Sequence, residues 1–192
     1  MFKAMVTGLA VLAATAVVAA TAVVAEPISG RDAAKALFAP QGAQVIIAKA
    51  AGLPAGEAKA LKTVLAQQPY YAAAAFSPED GLLTEATAMV GNYHSAETAA
   101  AVALALCNQN RKGATPCVLA ATTQPKGWKQ RALSLSSEGT NGFKTLYPAT
   151  GGAMAVSKAT GAWAIMGDAK AALAGCKAGT QKPKDCAVVV EN

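Results

Sequence analysis

The chain has 192 residues, and its 17 basic residues outnumber its 11 acidic residues, so the formal net charge is +6. The basic residues are scattered and only 5% of all residues are aromatic, which argues against a nucleic-acid surface with its clustered charge and stacking platforms. Binding to an envelope protein, or weak attraction to an anionic cell-wall component, stays open.

The first 25 residues have the three parts of a secretory signal. Lys3 precedes a long apolar run that ends in small residues at Ala25. We expect cleavage after Ala25, with Ala22 as second choice, and a periplasmic or secreted bacterial protein. The alternative is a retained membrane anchor, since the run is about long enough to span a bilayer. Its moderate hydrophobicity and the lack of a positively charged stop favour cleavage, which would leave no stable membrane span.

Residues 26–192 suit a single domain that buries a real core. The first part, residues 26–70, predicts an α-β-α extension. Ser29 or Asp32 can cap the first helix, and β-branched residues indicate the strand. The predicted elements are a helix over residues 33–38, a strand over 43–50 and a helix over 57–68.

One pattern then occurs twice, in repeat one (71–124) and repeat two (152–192). Each copy has an apolar stretch, a Ser and a Gly four residues apart, a second stretch, an alanine-rich segment ending in Cys, and a second Cys after nine residues. Stretches that flank a turn predict a hairpin and the alanine-rich segment predicts a helix, so each copy is a predicted ββαβ unit. The predicted elements are strands 71–76 and 82–90, helix 96–109 and strand 117–122, then strands 152–156 and 162–166, helix 168–177 and strand 186–190.

All four cysteines lie in the repeats. In an exported chain, an even count at matched spacing predicts disulfides, and the repeat favours a bond within each unit. The predicted bonds are Cys107 to Cys117 and Cys176 to Cys186. Zinc bound by four thiolates is the alternative, but nine intervening residues are a poor spacing for that site.

Residues 125–151 link the two repeats. Two leucines alternate with polar residues over 131–136, which is typical of a half-buried antiparallel strand. Ser136 or Ser137 can cap a short helix after it, although two glycines disfavour that helix. Together the elements predict an α+β fold: one antiparallel sheet built from both ββαβ repeats, with helices packed on one face, plus the N-terminal extension.

The repeated pattern resembles a small exported bacterial repeat family, the domain of unknown function 4189. The matching residues are Ala75-Phe76-Ser77-Pro78, Gly81, the segment 99–107 and Cys117-Val118, then Ala155-Val156-Ser157, Gly161-Ala162-Trp163, the segment 171–176 and Cys186-Ala187-Val188. This resemblance implies export and the repeat fold, and it supplies no functional site.

The full layout is also similar to a group of exported alphaproteobacterial proteins. The shared features are a Gln-Gln-Pro-Tyr-Tyr segment at 67–71, Phe76-Ser77-Pro78, and Gly127-Trp128 ahead of Arg131. Proteins of this group sometimes bear the name 5-aminolevulinate synthase. That enzyme type is cytosolic, far longer and dependent on a pyridoxal phosphate pocket, so the residues give the activity no physical support.

Five residues are candidates for a binding surface: Tyr70, Tyr71, His94, Trp128 and Arg131. Tyr and Trp are large amphipathic anchors, and Arg is a common interface partner. The aromatic residues could instead fill the core, because so much of the remaining chain is alanine and a core needs volume.

His94 is the only histidine, so any histidine-based acid–base chemistry must use it. Glu79, Asp80 and Glu85 form a local carboxylate cluster, which could serve catalysis or only solvate a turn. The sequence has no phosphate-binding loop and no nucleophile elbow. We expect a non-catalytic periplasmic binding or interaction module without metal or cofactor. The alternatives are an envelope enzyme that uses His94 with nearby carboxylates, and a purely structural envelope protein.

Overall fold

A computed structural model describes residues 26–192, and the predicted signal lies outside the described residues. Five α-helices and seven strands form in this part of the chain, which confirms the α+β class. In chain order they are α1 (Gly30–Ala36), β1 (Ala43–Ile47), α2 (Ala55–Leu65), β2 (Ala73–Phe76), β3 (Ala88–Val90), α3 (Ala96–Asn110), β4 (Val118–Pro125), α4 (Ser137–Leu146), β5 (Ala153–Ser157), β6 (Trp163–Met166), α5 (Ala169–Lys177) and β7 (Cys186–Glu191). None of these helices is long and apolar enough to cross a membrane.

The strands form two separate antiparallel sheets, so the prediction of one continuous sheet is wrong. Sheet one has the strand order β1-β4-β2-β3, and sheet two has the order β6-β5-β7. The predicted linking strand over 131–136 does not form. Leu133 and Leu135 are buried, as their alternation suggested, but they pack on Met154 and Val156 in the core of sheet two. Because this segment pairs with no strand, it does not join the two sheets.

Helices cover both faces of each sheet, and the predicted arrangement on one face is also wrong. Alternate residues of a strand point to opposite faces. In β2, Ala74 packs with Leu61 and Leu65 of α2, whereas Ala73 packs with Ala103 of α3. Sheet two is enclosed by α5 on one face and by α1 and α4 on the other. A strand that is buried on both faces has apolar residues at consecutive positions, as β2 does.

The two repeats share one hydrogen-bonding register. Ala75 of β2 pairs with Leu119 of β4, and Ala155 of β5 pairs with Val188 of β7. The register shifts immediately before these pairs in both repeats, between residues 74 and 75 and between residues 154 and 155. A shared irregularity at matching positions shows that the two units have the same backbone design.

Each repeat also has the same turn and the same disulfide. Gly81 and Gly161 have φ angles of 90° and 75°, a region that favours glycine. The serine four residues earlier accepts a backbone N–H of its turn in both repeats. The structure pairs Cys107 with Cys117 and Cys176 with Cys186, which confirms the predicted bonds.

The return strand of repeat one is shorter than predicted. Only Ala88–Val90 pairs with β2, and turns replace the start of the predicted strand. The Thr87 hydroxyl donates to the Leu82 carbonyl at 2.5 Å. A side chain thus occupies a backbone acceptor that could otherwise pair with a neighbouring strand. Leu83, in this turn region, is 94% exposed.

The helix caps follow the sequence closely. Ser29, Ser95 and Ser136 each accept a backbone N–H in the first turn of the following helix. The glycines that disfavour α4 have a packing role, because the Trp163 indole lies on this helix. A Cβ atom at Gly142 would overlap the Trp163 ring.

Candidate binding cleft

A cleft of about 650 Å³ opens on sheet one, beside the N-terminus of α3. Ile46, Thr122 and Ala73 are direct neighbours across β1, β4 and β2, so their side chains share one face of the sheet. α3 covers Ala73, whereas Ile46 is 42% exposed. The cleft lies beside α3, over the β4 residues Leu119, Thr122 and Gln124 that line it.

The lining combines aromatic, apolar and polar side chains. It includes Phe38, Tyr71 and Trp128, the apolar Ala100, Leu119 and Leu133, the polar Thr122, Gln124, Gln130 and Ser134, and the charged Glu97, Lys129 and Arg131. Its volume is within the range of small-ligand sites, which usually pair apolar walls with a few polar groups.

Trp128 is held by a chain of hydrogen bonds. Its indole N–H donates to the Tyr71 hydroxyl at 3.1 Å, and that hydroxyl lies 3.1 Å from Ser134 Oγ. Ser134 Oγ also lies 2.5 Å from the His94 carbonyl oxygen, to which its single proton is donated. Tyr71 can then donate to Ser134, so every polar group of the chain is satisfied. Trp128 consequently offers the cleft the apolar surface of its ring.

Arg131 ties the cleft wall to the end of α1. One guanidinium nitrogen donates to the carbonyl oxygens of Ala36 and Leu37, at 2.9 and 2.8 Å. The guanidinium carbon lies 3.7 Å from the centre of the Phe38 ring, a cation–π contact. Carbonyl groups at a helix C-terminus attract a cation, so this contact positions Arg131 and leaves its other donors for the cleft.

The predicted binding residues divide between the core and the cleft. Trp128 is 42% exposed and Arg131 is half-buried, and both line the cleft. Tyr71 is buried, yet its hydroxyl supports the cleft wall; burial raises its pKa, so the phenol stays protonated. Tyr70 belongs to the core, where its hydroxyl lies 3.4 Å from that of Thr140.

His94 lies outside the cleft and joins three segments of the chain. Its Nδ1 accepts the Ser136 N–H at 2.9 Å, and its Nε2 lies 3.3 Å from the Ala162 carbonyl oxygen, to which it donates. Burial lowers the pKa of His94 from 6.5 to about 4. Both ring nitrogens are committed to backbone groups, so the ring is poorly suited to be a general base.

The carboxylates near the repeat-one turn also bind backbone groups. Glu79 accepts the N–H groups of Ala114 and Thr115 and the Thr115 hydroxyl, and Asp80 accepts the Lys112 N–H at 2.9 Å. The Thr115 hydroxyl bond is the main cause of the lowered pKa of Glu79, and the Lys112 N–H has the same effect on the pKa of Asp80. These groups fix the loop between the two cysteines.

Repeat two has an equivalent connection, but its carboxylate lies in the disulfide loop and binds groups of the hairpin turn. Asp185, in the loop between its cysteines, accepts the Ser157 hydroxyl at 2.5 Å and the Ala159 N–H at 2.8 Å. In both repeats a carboxylate therefore connects the hairpin turn to the disulfide loop. Within residues 26–192, no group of three His, Cys, Asp or Glu side chains is placed to hold a metal ion.

The sequence reasoning missed part of the cleft. Phe38, Gln124 and Ser134 were not among the candidates, since Phe38 ends the predicted helix over 33–38, Gln124 follows the predicted strand over 117–122, and Ser134 lies in the linker. The single useful signal was the alternation around Leu133, which places Ser134 opposite the buried leucines. Comparison of the chain with protein-family models, curated proteins and solved structures found no match.

Proposed function

We propose that this protein is an exported, non-catalytic binding module of the bacterial envelope, similar in layout to the domain of unknown function 4189, and that its ligand binds in the Trp128 cleft. The observation that carries the proposal is the position of Trp128. Its ring is 42% exposed at the wall of a cleft of about 650 Å³, and its N–H is fixed by a buried tyrosine. A rigid, half-exposed aromatic ring is a suitable binding anchor.

The lining indicates the chemistry of the ligand. Trp128 and Leu119 offer apolar contact, whereas Gln124, Gln130 and Arg131 offer donors and acceptors around it. A compact amphipathic ligand with one flat apolar face and polar groups at its edge fits this arrangement. Such a group could belong to an envelope protein or to a cell-wall component.

Export is supported by the cysteines and by the N-terminal pattern. Both described pairs are disulfides, a bond that persists in oxidising compartments. Lys3 and the apolar run up to Ala25 have the order of a secretory signal. Both observations favour the periplasm or the external medium.

Binding is favoured over catalysis because the candidate catalytic groups are already engaged. His94 has both nitrogens bonded to backbone groups, and Glu79 and Asp80 bind the disulfide loop. Among the residues that line the cleft, Glu97 supplies the carboxylate and none is a histidine. Its residues suit recognition better than proton transfer.

The test is a pull-down from envelope extract with the purified protein as bait, followed by mass spectrometry of proteins and glycans. The bait carries either the native residue or Trp128→Ala. Leu83→Ala is the matched control, since it removes another exposed apolar side chain away from the cleft. A component captured by the native bait and by the control, but lost with Trp128→Ala, supports the proposal. Equal capture by all three baits would contradict it.

A further inference from the structure

The outer edge of β1 has backbone groups that no other strand pairs. β1 is an edge strand of sheet one and pairs only with β4. The Ala48 N–H donates to the Ala120 carbonyl, and the Lys126 N–H donates to the Gly42 carbonyl. Since antiparallel strands alternate, the even-numbered residues of β1 direct their N–H and C=O groups toward β4. The odd-numbered residues direct theirs outward.

Three residues therefore have backbone N–H and C=O groups that are free to pair with another strand: Ala43, Val45 and Ile47. No described residue outside β1 forms a hydrogen bond with their backbone groups. Their N–H and C=O groups could form up to six bonds with a chain that lies alongside. At about 3.4 Å per residue, the edge is about 17 Å long.

The strand lacks the features that usually block such an edge. Edge strands commonly carry charged residues, proline or a bulge that prevents pairing. Residues 43–47 read Ala-Gln-Val-Ile-Ile, without charge or proline, and their register with β4 is regular. The other edge strand of sheet one, Ala88–Val90, has only three residues. In sheet two, Ile28 covers the β7 edge, where its N–H donates to the Val189 carbonyl and its carbonyl accepts the Glu191 N–H.

The positive charges near both ends of the edge indicate which kind of partner would bind there. Lys49 follows the strand, and the Lys126 side chain lies against Gly42 at its other end. Both lysines are exposed, and the ion pair found in residues 26–192 involves neither of them. The edge thus combines an uncharged centre with a free positive charge at each end.

A second copy of the chain fits this edge poorly. In a two-fold antiparallel pairing centred on Val45, Gly42 would lie opposite Ala48 of the other copy. Lys126 of one copy would then approach Lys49 of the other at both ends, and like charges disfavour pairing. One five-residue strand also contributes little of the roughly 1,200 Å² that a stable interface buries.

We propose that the outer edge of β1 binds an extended segment of another protein as an added strand, with acidic residues of that segment against Lys49 and Lys126. Addition of a strand to a free edge is a recurring mode of peptide recognition, in which main-chain bonds supply affinity. This site is separate from the Trp128 cleft and does not depend on a ligand there.

The test uses the purified protein and the synthetic peptide Ac-EVTVTVE-NH2. Binding is followed by amide hydrogen exchange. The Ala43, Val45 and Ile47 amides should become protected at millimolar peptide, whereas the Gln44 and Ile46 amides are already bonded to β4. Ac-KVTVTVK-NH2 should bind more weakly, because its terminal charges repel the two lysines. Two further peptides carry N-methyl groups at alternate positions of opposite phase, and only one of them should lose affinity.

The matched protein variants are Val45→Pro and Val45→Thr. Proline removes an outward N–H that β4 does not use, and threonine keeps it. Val45→Pro should weaken peptide binding about tenfold, roughly the effect of one main-chain hydrogen bond. Val45→Thr should bind like the native protein, and so should Trp128→Ala, which separates this site from the cleft.

Three results would overturn the proposal. The first is the absence of peptide binding at millimolar concentration. The second is binding that leaves the three outward amides unprotected, or that tolerates both N-methylated peptides. The third is a concentration-dependent dimer in sedimentation velocity that Val45→Pro abolishes, which would make a second copy the occupant. Should Val45→Pro fail to fold, the N-methylated pair still decides the question.

Discussion

The stability of this protein should fall when the pH is lowered from 7 to 5, because of His94. The ring is buried and neutral in the folded state, where its pKa is about 4 instead of 6.5. In the unfolded chain the ring takes up a proton at the ordinary value. Between these two pKa values the unfolded state binds more protons than the folded state, so acid favours unfolding.

The size of this effect follows from the two pKa values. At pH 7 the ring is largely neutral in both states, and the contribution is close to zero. At pH 5 the unfolded ring is protonated and the folded ring is still neutral, which lowers the free energy of unfolding by about 2 kcal/mol. Further acidification to pH 4 extends the loss to roughly 3 kcal/mol.

The assay is denaturant unfolding at a series of pH values with the disulfides intact. His94→Gln is the matched control, because an amide can replace both hydrogen bonds of the ring without titrating. His94 is the only histidine, so the difference in slope between the two proteins isolates its contribution. Glu79 and Asp80, whose pKa values are lowered, lose their stabilising effect only below about pH 4.5. Equal slopes between pH 7 and 5 would refute the reasoning, as would an NMR titration that places the His94 pKa at 6.5 or above.

Two further predictions concern packing and the turn of repeat two. In thermal unfolding, Gly142→Ala should destabilise the protein by about 1–3 kcal/mol, because the new Cβ overlaps the Trp163 ring even though alanine has the better helix propensity. The control is Gly56→Ala, in open space on α2, which should stabilise the protein by up to about 1 kcal/mol in the same assay. Asp185→Ala should speed hydrogen exchange at the Ala159 amide, which loses its acceptor, and unchanged exchange there would show that the carboxylate does not hold the turn.

Local signals in the sequence predicted the elements well. The Ser-x-x-x-Gly turns, the serine caps and the C-x9-C spacing each depend on a few adjacent residues, and each was found as expected. The sheet arrangement depends on which strands meet across long distances, and no local pattern carries that information. The segment 131–136 shows the difference: its alternation predicted the burial of Leu133 and Leu135 correctly, but alternation alone does not supply a strand partner.

The same distinction applies to the candidate site. Trp128 and Arg131 were predicted from residue type, because large amphipathic side chains are scarce here and must be either core or surface. The sequence could not predict that Tyr70 lies in the core whereas Trp128 and Arg131 line the cleft. All three residues are next to apolar or turn residues in the sequence. Phe38 enters the cleft because α1 ends beside the linker, where Arg131 binds the last helix carbonyls. Contacts of this kind exist only in the folded chain.

The two repeats differ in the segment that precedes the alanine-rich helix and in the number of strands in their sheets. Residues 92–94, which repeat two lacks, include His94, which bonds to Ser136 and to Ala162 and thereby joins the units. The strand β1 comes from the N-terminal extension, and it widens sheet one beyond the area that α3 covers. This extra strand is an edge strand of sheet one and supplies the free outer edge at Ala43, Val45 and Ile47. The repeated units account for the shared frame, the added strand supplies the free edge, and the linker residues Trp128 and Arg131 supply a wall of the cleft.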